Sequence, residues 1–326
     1  MRPIILKDNC RVDGSTFVGT QVYNNGHAVP IYNVYSTNAL NQLIGHVKFA
    51  NATYGNVYYR GVNGLYNNVL PSLMRNRANG IPDDLCQTLK MVCNNSYLKQ
   101  SIKLQDTIRP KTTLDYATNN QIRRYNNYRV EALLQHYAGS TRFLDVVDNH
   151  WIALWMGTQK FIPNGKGKSY CQISKRNLSV LDMYERLTSD KDLLVNDGIY
   201  TYILLIAMPH SYTDYNQGIY ETEEFVEVDL RKALPSIYLR PHAQHALVIR
   251  KRDKGNVDKR AGYYDMASQV TAILRVRIDK AIEWLGEGIL LTKENLFPSP
   301  SIDQGYNNLL MNSERFKKPF NIIKYF

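Results

Sequence analysis

The stretch LQHYAGSTRFLDVVDNHWIAL, residues 134–154, decides the fold that we expect for this chain. It begins inside an apolar helical pattern that starts at Val130, and Gly139 is a typical residue just beyond a helix end. Residues 141–147 are rich in β-forming side chains and predict a strand. Asp148 and Asn149 then predict a cap for a second helix over residues 150–157. A strand between two helices is the unit from which the rest of the fold is predicted.

The patterns on either side of this stretch predict more helices and strands. Helices are expected over residues 36–50, 83–104 and from Asp279 to Gly286 or Gly288, and strands over residues 56–60, 199–208, 246–249 and 273–278. Residues 250–254 are predicted to form a charged turn, and residues 1–35 a loosely strand-forming lead-in. Because no regular βα alternation is present, we predict an α+β fold with one principal domain.

The composition places the chain among globular proteins. Its 326 residues, 44% of them hydrophobic and 21% charged, are enough to bury a sizeable core. No run approaches the roughly 20 apolar residues that a bilayer span needs. Lys7 and Asp8 interrupt the apolar start, which is therefore not a secretory signal. Four cysteines without a CxxC pair predict reduced thiols rather than disulfides or zinc ligands. We expect a cytoplasmic protein with no membrane partner.

The net charge of +11 favours a polyanionic partner. Lys and Arg number 40 against 29 Asp and Glu. In residues 123–129, RRYNNYR, tyrosines alternate with arginines in a way that would stack bases and bind phosphates. Two plainer interpretations stay open: many basic proteins bind no nucleic acid, and this segment would equally suit one solvated helix face.

Three clusters of residues carry a resemblance to a known family. They are, in chain order, Tyr59-Arg60-Gly61 with Leu70-Pro71-Ser72-Leu73 and Arg75; Leu134 to Leu154; and Arg240 and Gln244 with Ile278, Leu285-Gly286 and Leu296-Phe297-Pro298. Their order and spacing resemble the FRG domain family, which is named for its aromatic-Arg-Gly signature. The resemblance implies a lead-in at residues 1–39, the FRG domain at residues 40–310 and a basic, aromatic tail at residues 311–326.

The order of these motifs is similar to that of ADP-ribosyltransferases, in which NAD lies across a split sheet. The resemblance therefore implies a split mixed β-sheet of that type with surrounding helices, and NAD as the cofactor that is consumed. It assigns catalysis to Arg60, Thr141 and Gln244, and NAD binding to Tyr59, Arg60, Gly61, Thr141, Arg142 and Arg240, with no metal.

The chemistry of these side chains agrees with that assignment. A guanidinium fork such as that of Arg60 suits a pyrophosphate, and Thr141 can hydrogen-bond a ribose or an amide. Tyr59, Tyr137 or Trp151 would stack on nicotinamide. An oxygen of Gln244 beside the sugar would stabilise the positive charge that develops as the glycosidic bond breaks.

Structural interpretations of the same residues remain open. Arg60 would equally pin a turn, Thr141 is an ordinary strand residue, and Arg142 would form a buried ion pair with Asp145. Glu221 and Glu223 imitate a catalytic acidic pair, but their predicted loop position favours Gln244. The run Glu221, Glu223, Glu224 and Glu227 is expected to be exposed. His136 is expected to be a core histidine, and His242 and His245 lack a third ligand for a metal.

The resemblance implies an ADP-ribosyltransferase that transfers ADP-ribose from NAD. The basic net charge favours a nucleic acid, and RNA in particular, as the acceptor. The resemblance implies a toxin-like effector in a toxin–antitoxin or anti-phage defence setting, with antitoxin and chaperone proteins as possible partners. One alternative is a catalytically silent module that binds nucleic acid or protein. The other is a metal-free nuclease that uses His242 and His245.

Overall fold

A mixed sheet of ten strands runs through the centre of the protein. The computed structural model of the chain describes residues 2–75, 77, 81–103, 119–164, 170–176, 198–210, 213–214, 218–253, 261–316 and 320–325. The strands in these ranges are β1 (Ser15–Val22), β2 (Ala28–Val34), β3 (Gly55–Val62), β4 (Leu144–Val147), β5 (Gln159–Asn164), β6 (Tyr170–Lys175), β7 (Tyr200–Pro209), β8 (Thr213–Asp214), β9 (Ile219–Glu221), β10 (Phe225–Asp229), β11 (Ala246–Lys251), β12 (Val270–Arg277) and β13 (Lys324–Tyr325).

The large sheet has the order β1-β2-β12-β7-β3-β4-β11-β10-β9-β8. Strands β2 and β12 run parallel, and the other neighbours run antiparallel. Strand β3 pairs with β7 along its whole length, but with β4 only where Tyr59 lies opposite Val147. We call this narrow junction of β3 and β4 the seam, because it divides the sheet into two halves.

Ten α-helices lie in the described ranges. They are α1 (Thr37–Ala50), α2 (Asp83–Cys93), α3 (Ser96–Ser101), α4 (Asn119–Tyr137), α5 (His150–Gly157), α6 (Leu230–Ala233), α7 (Leu239–Ala243), α8 (Ile278–Trp284), α9 (Lys293–Leu296) and α10 (Gln304–Met311). The Ser36 side chain caps α1 by accepting from the Ala39 N–H, and Asn149 caps α5 in the same way through the Trp151 N–H. None of these helices combines the length and apolar character that crossing a bilayer requires.

Helices cover one face of each half of the sheet. Helices α1, α5 and α8 pack on the half that contains β3, β7 and β12, and α4 packs on the half that contains β4 and β10. Gly61 permits the close approach of α5 to β3, because a Cβ at Gly61 would lie 1.7 Å from the Ala153 carbonyl oxygen. The opposite face of both halves shares one core, in which Val69 and Met266 cover strand residues such as Leu204.

The predicted α+β fold with a mixed sheet is confirmed. The predicted boundaries at residues 39 and 310 stay predictions. Before the first, β1 and β2 join the large sheet through β12. After the second, β13 joins β5 and β6 in a separate three-stranded sheet in the order β13-β6-β5.

Four local predictions are wrong in detail. The predicted helix 83–104 is two helices, because the Asn95 side chain caps a new helix at Tyr97 and Leu98. The strand predicted from residue 141 begins only at Leu144, because side chains rather than a neighbouring strand accept from the backbone N–H groups of Thr141 and Phe143. Arg250 belongs to β11 rather than to a charged turn, and Glu221 ends β9 rather than lying in a loop.

Candidate functional site at the seam

Arg60 bridges the seam of the large sheet. It is the sixth residue of β3, and its Nη1 donates to the Asp145 carbonyl oxygen at 2.6 Å. Since β3 and β4 share only one register pair, this hydrogen bond adds a second link between the two halves. Arg60 as a whole is half-buried at this junction.

The charge of a second arginine, Arg75, affects the pKa of Arg60. Burial and the positive charge of Arg75 together lower the pKa of Arg60 to about 10, although the charge of Asp145 opposes both. Arg75 is exposed, and its Nε donates to the Leu70 carbonyl oxygen at 3.1 Å. Two guanidinium groups that repel each other at one place would both be stabilised by an anion between them.

Thr141 belongs to a buried hydrogen-bond network behind Arg60. Its Oγ1 donates to Gln135 Oε1 at 2.8 Å and accepts from the Phe143 N–H at 3.1 Å. Gln135 Nε2 in turn donates to Asp145 Oδ2 at 2.6 Å. Burial raises the pKa of Asp145, and the charge of Arg60 and the Gln135 hydrogen bond oppose that rise. Thr141 has no exposed surface, so the network positions β4 while Arg60 faces outward from the seam.

Tyr59 and Gly61 lie on the opposite face of the sheet from Arg60, as the alternation of a strand requires. Tyr59 is buried, and its ring lies 5.7 Å from that of His150 in an edge-to-face arrangement. Gly61 packs against α5. The structure therefore does not bring these two residues together with Arg60, and it gives both a packing role.

Arg142 binds carboxylates of the protein itself. Its Nε and Nη2 donate to Glu131 at 3.0 and 2.7 Å, and its Nη1 donates to Asp253 at 2.8 Å. Arg250 also donates to Asp253, at 2.6 and 3.2 Å, and lies 4.0 Å from Glu131. We call Glu131, Arg142, Arg250 and Asp253 the ion cluster. The expected pair of Arg142 with Asp145 is wrong, because Arg142 points to α4 and to the end of β11 instead.

Arg240 lies in α7, and Gln244 directly follows this helix. The charge of Arg240 helps to oppose the raised pKa of Asp145 at the seam. Gln244 is buried, and its Nε2 donates to the Leu296 carbonyl oxygen at 2.6 Å. Arg240 is 6% exposed and packs on aromatic rings, among them those of Phe297 and Tyr325. No hydrogen bond or ion pair within the described ranges joins either residue to Arg60.

Glu227 is a buried carboxyl group that the sequence interpretation missed. It lies in β10, is 8% exposed, and accepts a hydrogen bond from the Tyr58 hydroxyl. Burial raises the pKa of Glu227 to about 7, and the Tyr58 hydrogen bond opposes that rise. Tyr58 and Arg60 are two residues apart on β3, so their side chains share a face. The β-forming residues Phe225, Val226 and Val228 around Glu227 were a signal for a strand. In a strand that is buried on both faces, Glu227 would be buried as well.

The other acidic and basic motifs are mainly structural. Glu221 is buried and lies 2.8 Å from Arg124 Nη2, so the expectation of an exposed acidic run is wrong for Glu221 and Glu227. Tyr125 and Tyr128 in the RRYNNYR segment are buried in the core under α4, where they cannot stack on bases. Neither the base-stacking nor the solvated-face interpretation fits this segment. The side chain of Arg123 lies outside the described residues.

The histidines do not form a metal site in the described part of the chain. No group of three or more His, Cys, Asp or Glu side chains there is arranged to hold an ion. His136 is a buried core residue, and burial lowers its pKa well below the usual range. His245 Nδ1 lies 3.0 Å from Asp148 Oδ1, while His242 is exposed on α7.

Comparison with known proteins gives one match. Residues 55–164 match the family model of the FRG domain. This range begins at the first residue of β3 and includes Arg60, the Gln135 network and α5. No curated protein and no solved structure matches the sequence. The family match therefore identifies the chain as a protein that contains an FRG domain, with the seam of the sheet inside it.

Proposed function

We propose that this protein is an ADP-ribosyltransferase that uses NAD and modifies a nucleic acid, with RNA as the favoured acceptor. The observation that carries the proposal is the Arg60 guanidinium group, which crosses the seam to the Asp145 carbonyl oxygen at 2.6 Å. The positive charge of Arg75 is close enough to lower the pKa of Arg60. The motif order of the chain resembles that of ADP-ribosyltransferases, whose NAD lies across a split sheet. A sheet with two halves that meet at Tyr59 and Val147 is compatible with such a site.

The two arginines fit the pyrophosphate of NAD. One donor of Arg60 is used by the Asp145 carbonyl oxygen, and one donor of Arg75 by the Leu70 carbonyl oxygen. A guanidinium group has five N–H donors, so both side chains keep donors for phosphate oxygens. A bound diphosphate would also relieve their mutual repulsion, which favours an anion over a neutral ligand.

Glu227 is the carboxyl group on the face of Arg60. In its ionised form it would stabilise the positive charge that develops on the sugar when the glycosidic bond to nicotinamide breaks. Gln244, the residue favoured from the motif order, uses its amide group to bind Leu296 in a buried position. We therefore propose that Arg60 and Arg75 bind NAD and that Glu227, rather than Gln244, faces the reacting sugar.

The proposal of a nucleic-acid acceptor rests on the net charge of +11. Such a charge raises the local concentration of polyanions, and phosphate contacts make binding salt-dependent. The toxin-like role, with antitoxin and chaperone partners and a place in anti-phage defence, rests on the family resemblance.

Transfer of label from adenine-labelled NAD to purified RNA, DNA or protein tests the proposal. Arg60→Ala should abolish transfer, and Arg60→Lys should restore little of it because an ammonium group has no planar fork. Glu227→Gln should lower the rate by roughly 10²–10³-fold, whereas Gln244→Met, which keeps the volume of the buried side chain, should keep NAD cleavage. Arg277→Met, which removes an exposed arginine far along β12, is the control. Full activity of Arg60→Ala would rule out the seam as the NAD site.

The second candidate function is a silent module that binds nucleic acid or protein. It is favoured by the complete burial of Thr141 and by the carboxylate partners of Arg142, since both then serve the fold alone. Retention of RNA without any label transfer, with NAD intact after incubation, would favour this candidate.

A further inference from the structure

A cavity of about 350 Å³ lies beside α7 and α9, on the side of the C-terminal strand β13. Aromatic and proline side chains form half of its lining residues, including Phe297, Tyr306 and Tyr325. Its polar lining consists of Arg240, Lys293, Glu294 and Ser299. None of the seam residues lines it, so this site does not depend on the proposed reaction with NAD.

Arg240 brings a positive charge into this cavity without a negative partner. The side chain is 6% exposed, and within the described ranges its Nε and Nη1 have no hydrogen-bond partner. No carboxylate of those ranges lies within ion-pair distance of the guanidinium group. The nearby Asp303 accepts instead from the Arg240 backbone N–H at 3.1 Å and from the Tyr137 hydroxyl at 2.7 Å. A buried charge with unused donors is costly unless a partner arrives.

Aromatic rings only partly compensate this charge. The Arg240 guanidinium carbon lies 4.1 Å from the ring centroid of Tyr325 and 4.4 Å from that of Phe297. Cation–π contacts are weaker than a buried ion pair, and they use the faces of the guanidinium plane while the N–H groups point along its edges. Because Arg240 lines the cavity, an oxyanion bound there would compensate the part of the charge that the rings leave.

We propose that this cavity binds a small organic oxyanion. Its phosphate or carboxylate group would pair with Arg240. Lys293, whose Nζ lies 3.8 Å from Glu294 Oε1, would add positive charge nearer the rim. An apolar or aromatic body of the ligand would lie against Phe297 and Tyr306. The cavity volume is that of a small-molecule site rather than of a polymer groove.

Calorimetric titration of the full chain tests this proposal with four probes: phenyl phosphate, benzoate, inorganic phosphate and phenol. We expect phenyl phosphate or benzoate to bind, and Arg240→Met to weaken that binding at least about tenfold through loss of a charge-assisted pair. The tighter of the two acids tells which oxyanion the site takes. Arg277→Met removes the same charge from an exposed position and should leave the affinity unchanged.

A second variant keeps the test decisive if Arg240→Met does not fold. Ser299 is exposed at the rim, so Ser299→Trp should block entry and weaken binding to a similar extent without removing the guanidinium. The proposal is overturned if neither acid binds, or if both variants bind as the wild type does. It is also overturned if phenol binds as tightly as the acids, because the charge would then contribute nothing.

Discussion

Arg250 and Arg240 are both buried, but the protein surrounds them in opposite ways. Arg250 has no exposed surface and donates to Asp253 through both Nη atoms, with Glu131 close by. Arg240 has aromatic rings around it and no carboxylate partner within the described ranges. The first environment is a closed ion cluster that needs nothing further. The second has a charge that a ligand can complete, and this difference separates a structural arginine from a binding arginine.

The largest expected effect comes from removing each arginine in turn. Arg250→Met would leave Glu131 and Asp253 with less positive charge, and breaking a buried pair in this way costs about 3–5 kcal/mol. Arg240→Met leaves no carboxylate unpaired. It loses cation–π contacts but also removes the desolvation cost of a buried charge, so its free energy of unfolding should change by no more than about 1 kcal/mol. Urea unfolding of both variants measures the difference. Equal losses would mean that Arg240 has a structural partner after all.

Acid should act on the ion cluster and not on the Arg240 cavity. Burial raises the pKa values of Glu131 and Asp253, but the charges of Arg142 and Arg250 outweigh burial and lower both below their usual range. A carboxyl group with a lowered pKa in the fold contributes stability that is present above its unfolded pKa, about 4, and is lost as the pH falls further.

Unfolding free energies between pH 5 and pH 2.5 test this expectation. The decline should be shallower in the double variant Glu131→Gln with Asp253→Asn, because its members no longer titrate. Arg240→Met should keep the wild-type decline. A double variant that declines as steeply as the wild type would assign the acid sensitivity to other carboxyl groups.

The local parts of this structure were predictable from the sequence, and the ion cluster was not. Helix α1, the Asn149 cap of α5 and the buried strand β7 follow from short-range apolar patterns and capping chemistry. The four charged residues of the cluster come from α4, the segment before β4, and the end of β11. Their pairing depends on which strands lie side by side, which the sequence does not show. The basic run at residues 250–254 was therefore predicted to be a solvated turn.

The candidate site was predictable in part for the same reason. The Tyr59-Arg60-Gly61 motif located the seam, and strand alternation alone separates Tyr59 from Arg60. Arg75 acts on Arg60 because the loop after β3 leads back to it. Glu227 meets Tyr58 because β10 pairs with β11 in the same sheet. Such long-range neighbours have no signature in the spacing of the chain.

Glu227 extends the comparison of Arg250 and Arg240 to a buried carboxyl group. Like Arg240, it has no ion-pair partner within the described residues. Its pKa is raised from 4.5 to about 7, mainly by burial. The folded state therefore holds a proton that the unfolded state releases, and stability should fall as the pH rises from 4.5 to 7, by on the order of 2–3 kcal/mol.

Glu227→Gln should remove that decline, because the amide does not ionise. Tyr58→Phe is the matched control: it removes the hydroxyl group that donates to Glu227 and should steepen the decline. Unfolding free energies at half-unit pH steps measure both slopes. If the wild type shows no decline in this range, Glu227 is ionised in the fold and has a compensating cation.

The smallest effect is expected from an arginine at the surface. Arg277 pairs with Asp279, and both side chains are more than a third exposed. Water already solvates both charges, so the pair gains little Coulomb energy and salt screens what remains. Arg277→Met should change the free energy of unfolding by less than about 1 kcal/mol. Raising the salt concentration should change the difference in free energy of unfolding between this variant and the wild type by no more than a few tenths of a kcal/mol. A loss as large as that of Arg250→Met would show that burial does not set the effect of removing a guanidinium group in this protein, and the contrast between the ion cluster and the Arg240 cavity would then need another cause.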